Sequence, residues 1–136
     1  MTSDADDLAP AVTVTGIDHI VLLVADIDRS LAFYVETLGL APVRVDAYRR
    51  GEVFFPSVRV DATTIIDLFP GVPDGKNVDH FCLVVEPLDL VALAHSGRVD
   101  VVSGPSELFG AQGQGWGLYV RDPDGHVVEL RHYSGA

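Results

Sequence analysis

The chain has 136 residues and a mass of 14.6 kDa, enough for one domain that buries roughly two-thirds of its extended surface on folding and too short for two. Hydrophobic residues make up 48% and charged residues 21%, a balance that excludes a disordered acidic chain. With 9 Lys and Arg against 20 Asp and Glu, the net charge of -11 repels a polyanion, which argues against nucleic acid as a partner. Cys82 is the single cysteine and has no internal disulfide partner. No basic, apolar leader opens the sequence, and the longest apolar runs, such as Ile20–Ala25, fall far short of a membrane span. A cytoplasmic protein with no membrane partner is the expectation.

In chain order, residues 1–11 carry Asp4, Asp6 and Asp7 without apolar periodicity and read as a flexible acidic tail, leaving residues 12–136 as the domain. Asp18-His19-Ile20-Val21-Leu22-Leu23-Val24 is β-branched and apolar on both faces apart from His19, as in a strand covered on both sides. Asp26 and Asp28 then offer N-caps, Leu31, Tyr34, Val35 and Leu38 follow at helical spacing, and Gly39 stands at the C-terminal left-handed position. The runs 42–48, 52–60 and 63–69 read as three antiparallel strands parted by Arg50-Gly51 and Asp61-Ala62. Pro70 to Asn77 is a breaker-rich connector.

The pattern then restarts, with Asp79-His80 ahead of Phe81–Val85, about 60 residues after Asp18-His19. A short helix from Pro87 to His95 follows, then strands at 99–102, 115–121 and 127–132 around a glycine-rich segment. Asp67 and Glu129 occupy the last strand of each copy at nearly the same separation as the two histidines. The simplest account is two βαβββ modules, at about 16–70 and 78–133, joined by the 70–77 connector: an α+β fold.

Imidazole and carboxylate are the expected ligands of a divalent first-row ion that keeps open positions, and rigid strands aim such ligands well. By period-two alternation His19 shares a face with Val21 and Leu23, and His80 with Cys82 and Val84. Asp67 lies among Ile65, Ile66, Leu68 and Phe69, and Glu129 between Val128 and Leu130, so each carboxylate is expected to be partly buried beside a cation or a strong hydrogen-bond donor. One histidine in an apolar strand is most simply a hydrogen-bonded core residue. Two histidines and two acids at equivalent places in a repeat are expected to converge on one metal.

The pieces Asp18-His19-Ile20-Val21-Leu22, the helix with Asp28, Ser30, Phe33-Tyr34 and Leu38-Gly39-Leu40, Asp79-His80, and Arg121-Asp122-Pro123-Asp124-Gly125-His126-Val127-Val128-Glu129-Leu130 resemble the vicinal oxygen chelate superfamily. That superfamily includes glyoxalase I, fosfomycin-resistance transferases, extradiol dioxygenases and bleomycin-resistance proteins. The resemblance implies a curved mixed sheet around a metal-binding cleft. It maps the metal ligands onto His19, His80 and Glu129, with Asp67 standing where glyoxalase-like members have a glutamate; one methylene shorter, it binds directly, through water, or not at all. The implied cofactor is one divalent ion, Zn, Ni, Mn, Fe or Co. The implied activity is that of a glyoxalase-like lyase or isomerase on a small substrate with vicinal oxygens, in which Glu129 or Asp67 moves a proton beside a carbonyl. A homodimer is implied as well, with modules exchanged between subunits or kept within one chain.

Two alternatives stand beside this reading. Leu118-Tyr119, Asp122-Pro123 and Glu129 resemble the extradiol dioxygenase signature, but the histidine expected within 109–117 is missing, with Gln112 in that stretch. A metal-free, bleomycin-resistance-type drug binder would suit the acidic surface but has no use for a ligand set. A fosfomycin-type site wants clustered cations, and this chain has a single Lys and scattered Arg. Residues 110–117 read either as a mobile glycine lid or as a long hairpin connection. Cys82 reads as a space-filling thiol, and Arg44, Arg59 and Arg121 as possible anchors for a substrate carboxylate. His126 alternates away from Glu129, His95 and His132 have no counterpart in the repeat, and all three stay outside the site.

Overall fold

The β-branched segment around His19 forms β1 (Val14–Val24), the longest strand of the first module. The structure, a computed structural model, describes residues 9–75, 77–121 and 126–135. After β1, the Asp26 side chain accepts from the Arg29 N–H and caps a helical turn, α1 (Ile27–Leu31), which widens into a π-helical stretch over Ala32–Thr37. Gly39, at φ 79°, ends it in the left-handed conformation that only glycine adopts freely. The first module continues with β2 (Ala41–Val43), a short helix α2 (Val45–Arg49), β3 (Ser57–Asp61) and β4 (Thr64–Pro70). The second has β5 (Val78–Val85), α3 (Leu90–His95) capped by Asp89, β6 (Asp100–Gly110), β7 (Gly113–Arg121) and β8 (Val127–His132).

The eight strands form one mixed sheet in the order β2-β3-β4-β1-β5-β8-β7-β6, so the two modules meet through the antiparallel β1–β5 pair. Each central strand is flanked by the last strand of its own module in parallel, β4 beside β1 and β8 beside β5. Two βαβββ units thus follow one another in the chain and mirror one another in the sheet. Helix α1 covers Val58 and Leu68 on one side, and α3 covers Val85, Leu118, Val120 and Leu130 on the other. Both apolar clusters lie on the face opposite the polar strand positions. The outer edges of the sheet curl toward each other: Arg59 Nη2 on β3 donates to the Ala111 carbonyl of the β6–β7 turn at 2.7 Å. Among the described residues no helix is long and apolar enough to cross a membrane.

Three local expectations need correction. The expected strand 42–48 is three residues of β2 followed by α2, because Arg44 adopts a left-handed conformation at φ 59° that ends the extended run. The expected strand 52–60 begins only at Ser57, after Pro56, whose nitrogen has no hydrogen to give to a ladder. The glycine-rich 110–117 segment is a hairpin connection, as one of its two readings has it, but a short one: β6 runs to Gly110 and β7 resumes at Gly113, with only Ala111 and Gln112 between them. Residues 1–8, 76, 122–125 and 136 lie outside the described residues, and with them most of the acidic tail and the Asp122-Pro123-Asp124-Gly125 turn of the sequence motif.

Candidate metal centre

Sheet register lines the polar side chains up in two rows on one face. In one row Ser57, Asp67, Val21 and His80 are neighbours across β3, β4, β1 and β5. In the next, two residues along, Ile65, His19, Cys82, Glu129 and Tyr119 are neighbours across β4, β1, β5, β8 and β7. Side chains opposite one another in adjacent strands project to the same face. The histidines therefore meet diagonally across the β1–β5 junction, their ring centroids 5.4 Å apart and nearly perpendicular.

All four residues singled out in the sequence are buried here, and three form a tight group. His19 Nε2 is 3.3 Å and His80 Nε2 3.6 Å from Glu129 Oε1, and one atom of each residue lies within 4.8 Å of the others. Asp67 sits at the side of the group, with Oδ2 3.9 Å from His19 Nε2 and Oδ1 accepting from Ser57 Oγ at 2.5 Å. Each imidazole is turned by the aspartate before it in sequence: His19 Nδ1 pairs with Asp18 Oδ1, and His80 Nδ1 with Asp79 Oδ2, both at 2.7 Å. With Nδ1–H given to the aspartate, Nε2 of each ring is turned toward the common centre, where loss of its proton offers a lone pair to an ion. His80 Nε2 is buried without a hydrogen bond of normal length, Glu129 Oε1 being its nearest acceptor at 3.6 Å, an arrangement that costs free energy unless something else fills the place. Two imidazole nitrogens and a carboxylate oxygen are the donor set that first-row divalent ions favour, and these residues fit one.

The carboxylate of Glu129 is split between two tasks. While Oε1 faces the imidazoles, Oε2 accepts from Arg131 Nε at 2.7 Å. Arg131 is 0% exposed, and its remaining nitrogens donate to the Tyr133 hydroxyl at 3.1 Å and the Phe109 carbonyl at 3.0 Å. The Tyr133 hydroxyl in turn donates to Asp18 Oδ2, and Asp18 Oδ1 also accepts from the Ala111 N–H at 2.8 Å. A closed circuit, Glu129–Arg131–Tyr133–Asp18–His19, thus joins two members of the centre through their outer atoms. The sequence alone assigns no role to Arg131, Tyr133, Asp18 or Asp79. The available signals were the alternation that puts Arg131 and Tyr133 on the Glu129 face and the Asp that precedes both histidines.

Glycine makes room for this circuit. A Cβ on Gly117 would stand 2.8 Å from Glu129 Oε2, and one on Gly110 would stand 1.9 Å from Arg131 Nη1. The glycine-rich stretch is therefore a smooth wall against which the buried charges pack.

Electrostatics separate the two acids. Burial works against charge on Glu129, but His19, His80 and Arg131 outweigh it and hold the carboxyl well below its ordinary range. For Asp67, burial prevails over the Ser57 hydroxyl and the nearby cations, and its pKa is raised. Burial would lower His19, but pairing with Asp18 and Glu129 lifts it to about 9. Burial and the Glu129 charge push the Cys82 thiol up, so it stays neutral and fills space. Tyr119 stacks edge-on against His80, with centroids 5.1 Å apart. Among the arginines considered as anchors, Arg59 is committed to the carbonyls of Asp61, Ala62 and Ala111.

The family model described as the glyoxalase/bleomycin resistance protein/dioxygenase superfamily matches residues 16–130. The virulence protein STM3117 of Salmonella typhimurium is 31% identical over 123 residues, covering 88% of this chain and 85% of that protein. Among solved structures, the Mn(II)-bound glyoxalase from Novosphingobium aromaticivorans superposes with a TM-score of 0.68 at 24% identity, over 91% of this chain and 40% of that one. Methylmalonyl-CoA epimerase from Mycobacterium tuberculosis superposes with a TM-score of 0.63 at 19% identity, over 96% of this chain and 95% of that one. At these identities the two structures speak for the fold, while the family model reaches from β1 to β8 and spans both histidines and Glu129. The chain belongs to the glyoxalase/bleomycin resistance protein/dioxygenase superfamily.

Proposed function

We propose that the protein is a divalent-metal-dependent, glyoxalase-like lyase or isomerase acting on a small substrate with vicinal oxygens. The observation that carries this reading is the buried His80 Nε2, without a hydrogen bond of normal length, beside His19 Nε2 and Glu129 Oε1, an arrangement that a metal-free drug-binding trough has no need of. His19, His80 and Glu129 hold the ion, and Asp67 flanks it. A divalent ion there supplies Lewis acidity toward two neighbouring substrate oxygens and favours proton transfer beside a carbonyl.

The division of labour follows from the two carboxylates. Glu129, held anionic and fixed through Oε2 by Arg131, is suited to ligation and is a poor proton acceptor. Asp67, with its raised pKa and one oxygen anchored by Ser57, is suited to taking and returning a proton through Oδ2. Asp18 and Asp79 orient the imidazoles. A homodimer is part of the proposal, and light scattering on eluted protein tests it.

The activity test is an assay of metal-reconstituted protein on 2-oxoaldehyde–thiol adducts, with catechols in parallel. Turnover of the adducts, abolished in Glu129→Gln and reduced in Asp67→Asn with its metal retained, is the expected result. Ring cleavage of catechols, or activity unchanged in Glu129→Gln, overturns it.

A further inference from the structure

Arg44 is the only described residue other than glycine with a positive φ, at 59°, a conformation that side chains avoid unless their surroundings enforce it. Its surroundings are two aromatic rings. The guanidinium carbon lies 4.5 Å from the Phe55 centroid and 4.0 Å from the Phe109 centroid. Phe55 comes from the first module and packs on Phe69, with centroids 4.8 Å apart; Phe69 alternates with Asp67 along β4 and shares its face. Phe109 comes from β6, at the opposite edge of the sheet. Arg44 therefore bridges the two edges of the sheet, and its charge is felt by Asp67.

What the guanidinium lacks is an anion. In a chain with 20 acidic residues, no carboxylate pairs with it within salt-bridge distance among the described residues. Among the described residues its one hydrogen bond runs from Nη2 to the Phe55 carbonyl at 3.2 Å, and its Nε is buried without an acceptor. By comparison, Arg131 donates from all three of its nitrogens and Arg59 from both terminal ones. A guanidinium packed against two aromatic rings is partly desolvated and still carries hydrogen-bond donors at its edge, which suits planar recognition of an oxyanion.

We propose that Arg44 is a specificity-determining anion anchor, and that the substrate carries a carboxylate or comparable oxyanion beyond its pair of vicinal oxygens. The inference rests on the proposed vicinal-oxygen reading of the site and adds the charge of the substrate's far end. The bound oxyanion accepts from the accessible edge of the guanidinium and neutralises its charge; an uncharged analogue leaves that charge without a counter-ion.

The test uses 2-oxo acids of matched length with and without a terminal carboxylate: 2-oxoglutarate against 2-oxopentanoate, and 2-oxoadipate against 2-oxohexanoate. Each is titrated calorimetrically into Mn(II)-loaded and metal-free protein, for the native chain, Arg44→Gln and Arg44→Lys. The expected result is that at least one dicarboxylate binds the loaded native protein about tenfold or more tightly than its partner. Arg44→Gln brings that ratio close to one by weakening only the dicarboxylate, and Arg44→Lys keeps part of it. The metal content of both variants equals that of the native protein. A native ratio near one at both lengths, no binding by any of the four acids, or a ratio that survives in Arg44→Gln overturns the proposal. Failure of the underlying reading has a separate signature: the monocarboxylates bind equally with and without Mn(II), whatever Arg44 does.

Discussion

Replacing Arg131 by Met removes a fully buried cation while keeping a chain of similar length, and the structure sets the size of the effect. Three hydrogen bonds are lost, to Glu129, Tyr133 and Phe109, and the Glu129 carboxylate is left buried without its nearest permanent counter-charge. Removing one member of a buried ion pair costs about 3–5 kcal/mol, a large share of the roughly 5–15 kcal/mol that holds a domain of this size folded. At about 4 °C per kcal/mol for such a domain, the metal-free variant melts about 12–20 °C below the native protein. Two comparisons make the reasoning specific. The double variant Glu129→Gln, Arg131→Met loses less than Arg131→Met alone, because removing both charges removes the uncompensated one. Saturating divalent metal narrows the gap between Arg131→Met and native, because the ion offers Glu129 the missing positive charge. Melting curves by circular dichroism with and without metal read all of these. Strict additivity in the cycle, or a loss below about 1 kcal/mol in the metal-free state, would refute the account of the circuit.

The remaining expectations concern the centre itself. In metal-free protein His19 titrates near 9, above its ordinary 6.5, so its contribution to stability is complete below pH 6.5 and is lost as pH rises through 9. Metal must displace that proton, so affinity measured by chelator competition rises by about tenfold per pH unit between these values and levels off above; a flat profile from pH 7 to 9 contradicts it. Gly117→Ala places a Cβ 2.8 Å from Glu129 Oε2 and lowers metal affinity without a comparable loss of melting temperature; unchanged affinity argues that the carboxylate is not held where it is described. Asp79→Asn, at a half-exposed position whose side chain orients His80, weakens metal binding by about 10–100-fold, read by the same competition assay, with little change in the metal-free melting curve.

How much of this could be read beforehand depends on the kind of physics involved. His19, His80, Asp67 and Glu129 were legible because alternation along a strand and repetition between modules are properties of the sequence itself. The partners of those residues were not, since hydrogen bonds among Arg131, Tyr133 and Asp18 join positions up to 115 apart and depend on how the sheet closes. Residues 45–49 have the composition of a strand yet form α2, because Arg44 ends the extended run with a left-handed conformation that its residue type does not announce. Tertiary contacts with Phe55 and Phe109 accompany it there. The glycines of 110–117 suggested flexibility, yet Gly110 and Gly117 serve close approach, because side chains from β8 press against them.

The central claim is that two imidazoles and one carboxylate hold a divalent ion. Elemental analysis of protein purified without a histidine tag and equilibrated with Zn, Ni, Mn, Fe or Co ions tests it directly. One ion per chain in the native protein, with stoichiometric binding lost in His80→Ala and in Glu129→Gln, is the predicted result. Metal that stays substoichiometric after supplementation, or is retained equally in His80→Ala, would contradict it.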